Sequence, residues 1–181
     1  MKAIKIFVVD DDPLQLEMIT DHLGQFKNYI CKTFYKGETM LASLGEKPDI
    51  IVLDYNLSSA DKDAKKSIDI LKAVKSADER IEVIIYSRQD NVEVAMTCMR
   101  FGAFDYVVKN PTAFYRMENI IHKIIKQYEL VADAERYKRM LSLIGYVILA
   151  LAVLAVIAKL SGLDDVFNIL DHWVICRVEI E

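Results

Sequence analysis

A run of β-branched and aromatic side chains that ends abruptly in acids, Ile6-Phe7-Val8-Val9-Asp10-Asp11-Asp12-Pro13, constrains this chain more than any other segment. Side chains of that kind favour a strand, and the acids after them resist burial. A second run, Asp49-Ile50-Ile51-Val52-Leu53-Asp54, stops at a carboxylate in the same way. Uninterrupted apolar strands are buried on both faces, which calls for a parallel sheet covered by helices. Two such strands bring their terminal acids together at the carboxyl edge of the sheet, where open α/β folds hold their ligands. Carboxylates gathered there repel one another, so the site wants a hard divalent cation such as magnesium, Mg²⁺.

Composition leaves room for that sheet and for something more. The chain has 181 residues, 53% hydrophobic and 28% charged, enough for one domain of ordinary size with an appendage. Its formal charge of −4 argues against a nucleic-acid partner. Cys31, Cys98 and Cys176 stand far apart, and His22, His122 and His172 share no ligand spacing with them, so they give neither a disulfide framework nor a structural metal site. The first apolar run is too short for a secretory signal and is cut by acids, which places the N-terminal domain in the cytosol.

Strand-like and helix-like segments alternate five times. Residues 4–9 predict a strand. Leu14, Leu16, Met18, Ile19, Leu23 and Phe26 then recur at helical spacing, with Asp12 as cap and Pro13 in the first turn. Tyr29 to Tyr35 is a second strand and Glu38 to Leu44 a short helix. Strand three ends at Asp54, and Ile68, Ile70, Leu71 and Val74 mark helix three. Ile81 to Ser87 is strand four, Val92 to Arg100 helix four, and Tyr106 to Lys109 strand five. Helix five starts near Ala113, with Met117, Ile120, Ile121, Ile124 and Ile125 inward. The (βα)5 order predicts a flavodoxin-like, doubly wound parallel sheet with right-handed crossovers.

Four strand ends carry reactive or charged groups: Asp10-Asp11, Asp54, Ser87 and Lys109. In that order they resemble the receiver domain of two-component response regulators, over residues 1 to about 128. The resemblance implies that Asp54 is the phosphoacceptor. It implies that Asp10, Asp11, the Asp54 carboxylate and the backbone carbonyl of Asn56 hold Mg²⁺. Ser87 would contact the phosphoryl group, Lys109 would pair with it, and Tyr106 would be the switch aromatic. The expected partner is a histidine kinase or phosphotransfer protein; homodimerisation stays open. Such a chain is a switch that catalyses only its own phosphorylation and dephosphorylation.

The chemistry is intelligible from the residues themselves. A carboxylate that attacks a phosphohistidine needs its own charge and the donor's oxygens neutralised, which a divalent cation and a lysine ammonium do electrostatically. Asp54 ends the middle strand, the position of a nucleophile. A new doubly charged group there would bias the Ser87 hydroxyl, with Tyr106 following into vacated space. Each group alone also has a plainer explanation. Asp10 to Asp12 could cap helix one, Asp54 could open a turn, Lys109 could be solvated, and Tyr106 could be core.

The sequence departs from the family pattern in three places. Ser58 stands where a proline is usual, and Ser58 to Lys66 is long and charged, with no glycine before helix three. Arg88 replaces the usual small residue after the hydroxyl position, where it could shield or contact a phosphate. Asn110 separates Lys109 from Pro111.

Beyond the α/β pattern, Leu141 to Ala158 reads LSLIGYVILALAVLAVIA, with no charge in 18 positions. A helix of that length extends ~27 Å, close to the hydrocarbon thickness of a bilayer. Apolar residues occupy every face, unlike an amphipathic stripe. Arg136, Lys138 and Arg139 precede it; Asp164, Asp165, Asp171, Glu179 and Glu181 follow. The positive-inside rule then keeps the N-terminal domain in the cytoplasm. The expected organisation is a receiver at 1–128, a basic helical linker at 129–140, a transmembrane helix at 141–160 and a short amphipathic tail at 161–181. In that tail Leu163, Val166, Phe167, Leu170 and Val174 recur at helical spacing beside Trp173.

These observations predict a single-pass protein of the inner (cytoplasmic) membrane: a membrane-anchored response regulator, in contact with membrane lipid and without a DNA-binding output domain. One alternative is a soluble receiver whose residues 141–181 form a helical oligomerisation module. A remote one is an aspartyl-phosphate phosphatase of the haloacid dehalogenase type, suggested by Asp10-x-Asp12 with Ser87 and Lys109; it lacks a late acidic pair and leaves Asp54 idle.

Overall fold

The structure is a computed structural model that describes residues 3–57 and 66–160. The chain divides into two units, Met1–Lys126 and Gln127–Glu181. In the first, strands and helices alternate as β1 (Ile4–Val9), α1 (Pro13–Gly24), β2 (Tyr29–Phe34), α2 (Gly37–Ala42), β3 (Ile50–Asp54), α3 (Ser67–Ala77), β4 (Glu82–Ser87), α4 (Val92–Arg100) and β5 (Asp105–Val108). Helix α5 (Ala113–Leu160) begins in this unit. The sheet order is β2-β1-β3-β4-β5 and every pairing is parallel, the flavodoxin-like arrangement.

Strand β3 lies in the middle, and every residue from Ile50 to Asp54 is buried. Beside it, β1 contributes Ile6, Val8 and Val9 and β4 contributes Val83, Ile84 and Ile85, all almost fully buried. Each such side chain contributes about 1.5–3 kcal/mol of transfer free energy. The register decides where the acids fall. Val9 pairs with Leu53, so Asp10 follows β1 level with Asp54, and Asp54 in turn pairs with Tyr86, one residue before Ser87.

Local chemistry sets the helix ends. The Asp12 carboxylate accepts a hydrogen bond from the Leu14 amide at 3.0 Å, and Pro13 opens α1 with its φ already helical. That helix buries Leu16, Ile19 and Leu23, while Leu14 and Met18, on the same spacing, stay exposed. Asn91 caps α4 by accepting from the amides of Glu93 and Val94. The Asn110 side chain accepts from the amide and hydroxyl of Thr112, a turn that leads into α5.

Several boundaries differ from the sequence reading, among them the start of strand four, at Glu82 rather than Ile81. Strand two ends at Phe34, leaving the exposed Tyr35 outside the ladder. The second helix begins at Gly37 and ends at Ala42; Leu44–Glu46 forms a 3₁₀ turn closed by Lys47 at a φ of 56°. Strand five starts at Asp105, paired with Ile84, and stops before Lys109. The long Ser58 loop and the tail at 161–181 lie outside the described residues.

Within the first unit α5 buries Ala113, Met117, Ile120, Ile121 and Ile124, with Ile125 partly covered. In the second unit residues 129–157 are exposed throughout. Helix α5 has no break at either expected border, 128/129 or 140/141. The 18-residue apolar window within it is long enough to cross a membrane and is not buried.

Candidate functional site

Asp10 and Asp54 are 1% and 2% exposed, although each carries a carboxylate. Charges that far from water need partners. The partner is Lys109, the residue just after β5: its Nζ donates to Asp10 Oδ2 at 2.7 Å and lies 2.7 Å from Asp54 Oδ1. Its own side chain is nearly as buried and lies over the Tyr86 ring, 4.8 Å from the centroid. Asp10 Oδ1 also accepts from the Asp12 amide. Asp54 Oδ1 has no aligned hydrogen-bond donor among the described residues, so Lys109 holds it through charge.

The electrostatics follow from this packing. Burial pushes the Asp54 carboxyl above the ordinary range; Lys109 pulls it back, Asp10 adds to the rise, and the Asn56 amide favours the ionised form. Burial, with the charges of Asp10 and Asp54, pushes the Tyr86 phenol up to about 12. Tyr86 therefore stays neutral beside the acids.

Asp10, Asp11 and Asp54 offer carboxylate oxygens that all lie within 4.8 Å of one another. Asp11 is exposed. A cleft of ≈ 210 Å³ opens over the cluster, lined by Asp11, Asp12, Asp54, Asn56, Arg88 and Lys109. Three carboxylates and one ammonium leave a net charge of −2. A hard divalent cation fits this donor set by charge and by ligand type, and the buried Asp54 Oδ1 is an oxygen still short of a donor.

Ser87, at the end of β4, is fully buried, and its Oγ accepts from the Gln89 amide at 3.1 Å. Tyr106 lies in the core beneath, and its hydroxyl donates to the Gln89 carbonyl at 2.8 Å. One residue, Gln89, thus touches both groups. Arg88 reaches across the cleft rim, where Nη2 donates to Asp12 Oδ2 at 3.0 Å.

Sequence reasoning missed Ser67. Its buried hydroxyl lies 2.8 Å from the Asp54 carbonyl and 2.7 Å from the Tyr55 carbonyl, which ties the start of α3 to the end of β3. A serine opening a helix was the available signal, but its partners lie 12 and 13 residues away.

The response regulator receiver domain family matches residues 6–122. The chain belongs to that family. Receivers are phosphorylated on an aspartate, act as signalling switches and interact with histidine kinases or phosphotransfer proteins. Among curated relatives, a protein-glutamate methylesterase/protein-glutamine glutaminase of Clostridium acetobutylicum is 33% identical over 131 residues, 70% of this chain and 36% of that protein. The transcriptional regulatory protein MalR of Bacillus subtilis is 27% identical over 150 residues, 75% of this chain and 60% of that one. This receiver chain therefore spans less than two thirds of the length of either. Among solved structures, the BeF3-activated receiver domain of DrrB, a Thermotoga maritima protein, superposes with a TM-score of 0.60 at 27% identity, covering 68% of this chain and 98% of that one. A receiver domain protein from Clostridium thermocellum gives 0.62 at 24% identity, covering 71% and 98%, and supports the fold.

Proposed function

We propose that the protein is a membrane-anchored response regulator in which Asp54 takes a phosphoryl group from the phosphohistidine of a kinase or phosphotransfer protein. The observation that carries this is the Asp54 carboxylate, buried at the end of the central strand yet open to the cleft and 2.7 Å from the Lys109 ammonium. In the transfer an Asp54 carboxylate oxygen forms the new bond to phosphorus while the bond from phosphorus to the donor imidazole nitrogen breaks, and the imidazole leaves with the electron pair and takes a proton. Asp10, Asp11, Asp54 and the Asn56 backbone carbonyl would hold Mg²⁺, which when bound neutralises charge on the transferring group. Lys109 would pair with the phosphoryl oxygens, and the Ser87 hydroxyl would donate to one of them afterwards. The chain catalyses this reaction on itself and its hydrolysis, with no other substrate.

A small-molecule phosphodonor with Mg²⁺ tests the assignment on the full chain in detergent. Intact-mass spectra are expected to show one added phosphate in the wild type and none in Asp54→Asn, since an amide oxygen does not form an acyl phosphate. Equal uptake by both overturns it.

The second half of the proposal assigns residues 1–128 to the receiver, 129–140 to a helical linker, 141–160 to a single membrane span and 161–181 to a tail beyond it. Its support is the length and uniform apolarity of Leu141 to Ala158, none of it buried, and the basic Arg136, Lys138 and Arg139 before it. An arginine in place of Leu151 is expected to cost about 2.5–3.5 kcal/mol of insertion free energy and to move the chain out of the membrane fraction. An unaltered chain that stays soluble without detergent, as a defined oligomer, overturns the anchor and favours a soluble assembly module. Confined to the membrane plane, such a switch meets membrane partners at raised effective concentration.

A further inference from the structure

We propose that the second unit is a parallel homodimerisation seam that begins in the water-exposed stretch before the apolar segment and continues through it. The region 129–140 is highly charged, and its exposed apolar residues other than Ala132 lie on or beside one stripe. Leu130 and Tyr137 are each 62% exposed and stand seven apart, with Ala134 between them. Seven residues is the a/d repeat that keeps one stripe facing a partner helix. The same phase carries on past the charged stretch through Leu141, Ile144, Ile148 and Leu151, all exposed in the one unbroken helix α5. It then reaches Ala155 and Ala158, small residues that let two backbones approach in lipid.

The flanking positions identify the partner as a second copy. With Ala134 and Tyr137 in the seam, Glu129, Glu135, Arg136 and Arg139 fall on the outward face. Val131 and Met140, both exposed, fall beside the seam and widen it. The two charged residues that border it are Asp133 and Lys138, of opposite sign and five residues apart. In a parallel pair of identical helices that spacing sets Asp133 of each copy against Lys138 of the other, giving two symmetric ion pairs. Within its own helix Asp133 meets only the exposed Arg136, at a long 3.4 Å, a contact of little energy. A heterologous helix would have to reproduce both the seam and the reversed charges, whereas a second copy supplies them by symmetry. The parallel sense rests on the proposed membrane orientation, which gives every copy the same direction.

The test is a cysteine scan of the full chain reconstituted in phosphatidylcholine vesicles, in a background with Cys31 and Cys176 replaced by alanine; Cys98 is buried and stays. Single cysteines at 130, 132, 134, 135, 137 and 139 are oxidised and the disulfide-linked dimer is measured. Dimer is expected to peak at 130, 134 and 137 and to be lowest at 132, 135 and 139. Flat yields, or maxima on the outward face, overturn the seam. Asp133→Lys reverses two ion pairs per dimer and is expected to weaken association about tenfold, as is Lys138→Asp. The double exchange is expected to restore it, and failure to do so overturns the charge register. Flotation of the same vesicles separates the two readings. Chain that floats but gives a flat scan loses the seam and keeps the anchor; chain that does not float but gives the periodic scan loses the anchor and keeps the seam.

Discussion

Replacing Lys109 with methionine removes the one cation that, among the described residues, both buried carboxylates contact. At an effective dielectric of about 20, a pair of unit charges 2.7 Å apart attracts by about 6 kcal/mol, and Lys109 makes two such contacts. Most of that is offset by taking three charges out of water, so the pair energies do not measure the loss. The ceiling comes from proton uptake. Once Asp10 and Asp54 face each other without the ammonium, one of them takes up a proton instead. From an ordinary carboxyl pKa of about 3.9, neutralising one at pH 7 costs about 4 kcal/mol, and at pH 5 only about 1.5 kcal/mol. The sign is fixed by linkage. The folded variant holds its proton to higher pH than the unfolded chain, so its stability falls as pH rises, and the gap to wild type is widest at neutral pH. Burial already raises Asp54 in the wild type, in the same direction. Thermal unfolding of the full chain in detergent should show the variant about 10–15 °C below wild type at pH 7. The gap should shrink by more than half at pH 5. Added Mg²⁺ should raise the variant more than the wild type, because the cation takes the place of the missing ammonium beside the acids and releases the extra proton. A gap of less than about 1 kcal/mol, or one that is equal at both pH values, would refute the view that Lys109 balances a buried acid pair.

Ser67→Ala leaves the Asp54 and Tyr55 carbonyls without their shared donor, and is expected to cost about 1–3 kcal/mol of stability and to slow labelling of Asp54 by a phosphodonor. Gly37→Ala drives a methyl into Ile70 Cδ1, part of a fully buried side chain that has to shift, so denaturant titration should show a loss of about 1–3 kcal/mol. Asp11→Asn removes one cluster charge and should weaken Mg²⁺ binding by about 1–3 kcal/mol in titration calorimetry; unchanged affinity would leave these acids as a helix cap only.

The sheet and its acidic edge were legible because single residue types decide them. A buried strand needs an unbroken apolar run, and the run must stop where charge begins, so Val9-Asp10 and Leu53-Asp54 mark strand ends without reference to the rest of the chain. Lys109 was legible for the same reason, after Val108. What escaped depends on distant geometry. Asp105 is a poor strand former, yet it pairs with Ile84 because edge strand β5 has a neighbour on one side only. The 3₁₀ turn at Leu44–Glu46 closes through Lys47 in a left-handed conformation that a lysine does not advertise. Ser67 and Gln89 act through backbone groups brought near by the fold, and no local pattern encodes that.

Gln89 also suggests how the proposed phosphorylation would reach the surface next to α4. Its amide donates to Ser87 Oγ and its carbonyl accepts from Tyr106, so the hydroxyl and the aromatic ring are tied to the two ends of one residue. A phosphoryl group on Asp54 adds oxygens that draw both the Lys109 ammonium and the Ser87 hydroxyl. Turning Ser87 toward them weakens its bond from the Gln89 amide, a loss of about 1 kcal/mol, and frees the residue that anchors Tyr106. The displaced bonds are few and weak, while the new group carries nearly two negative charges in a site poorly reached by water. That imbalance would let a small rearrangement at Ser87 be driven to completion, with the Gln89 carbonyl as one contact through which it would reach Tyr106.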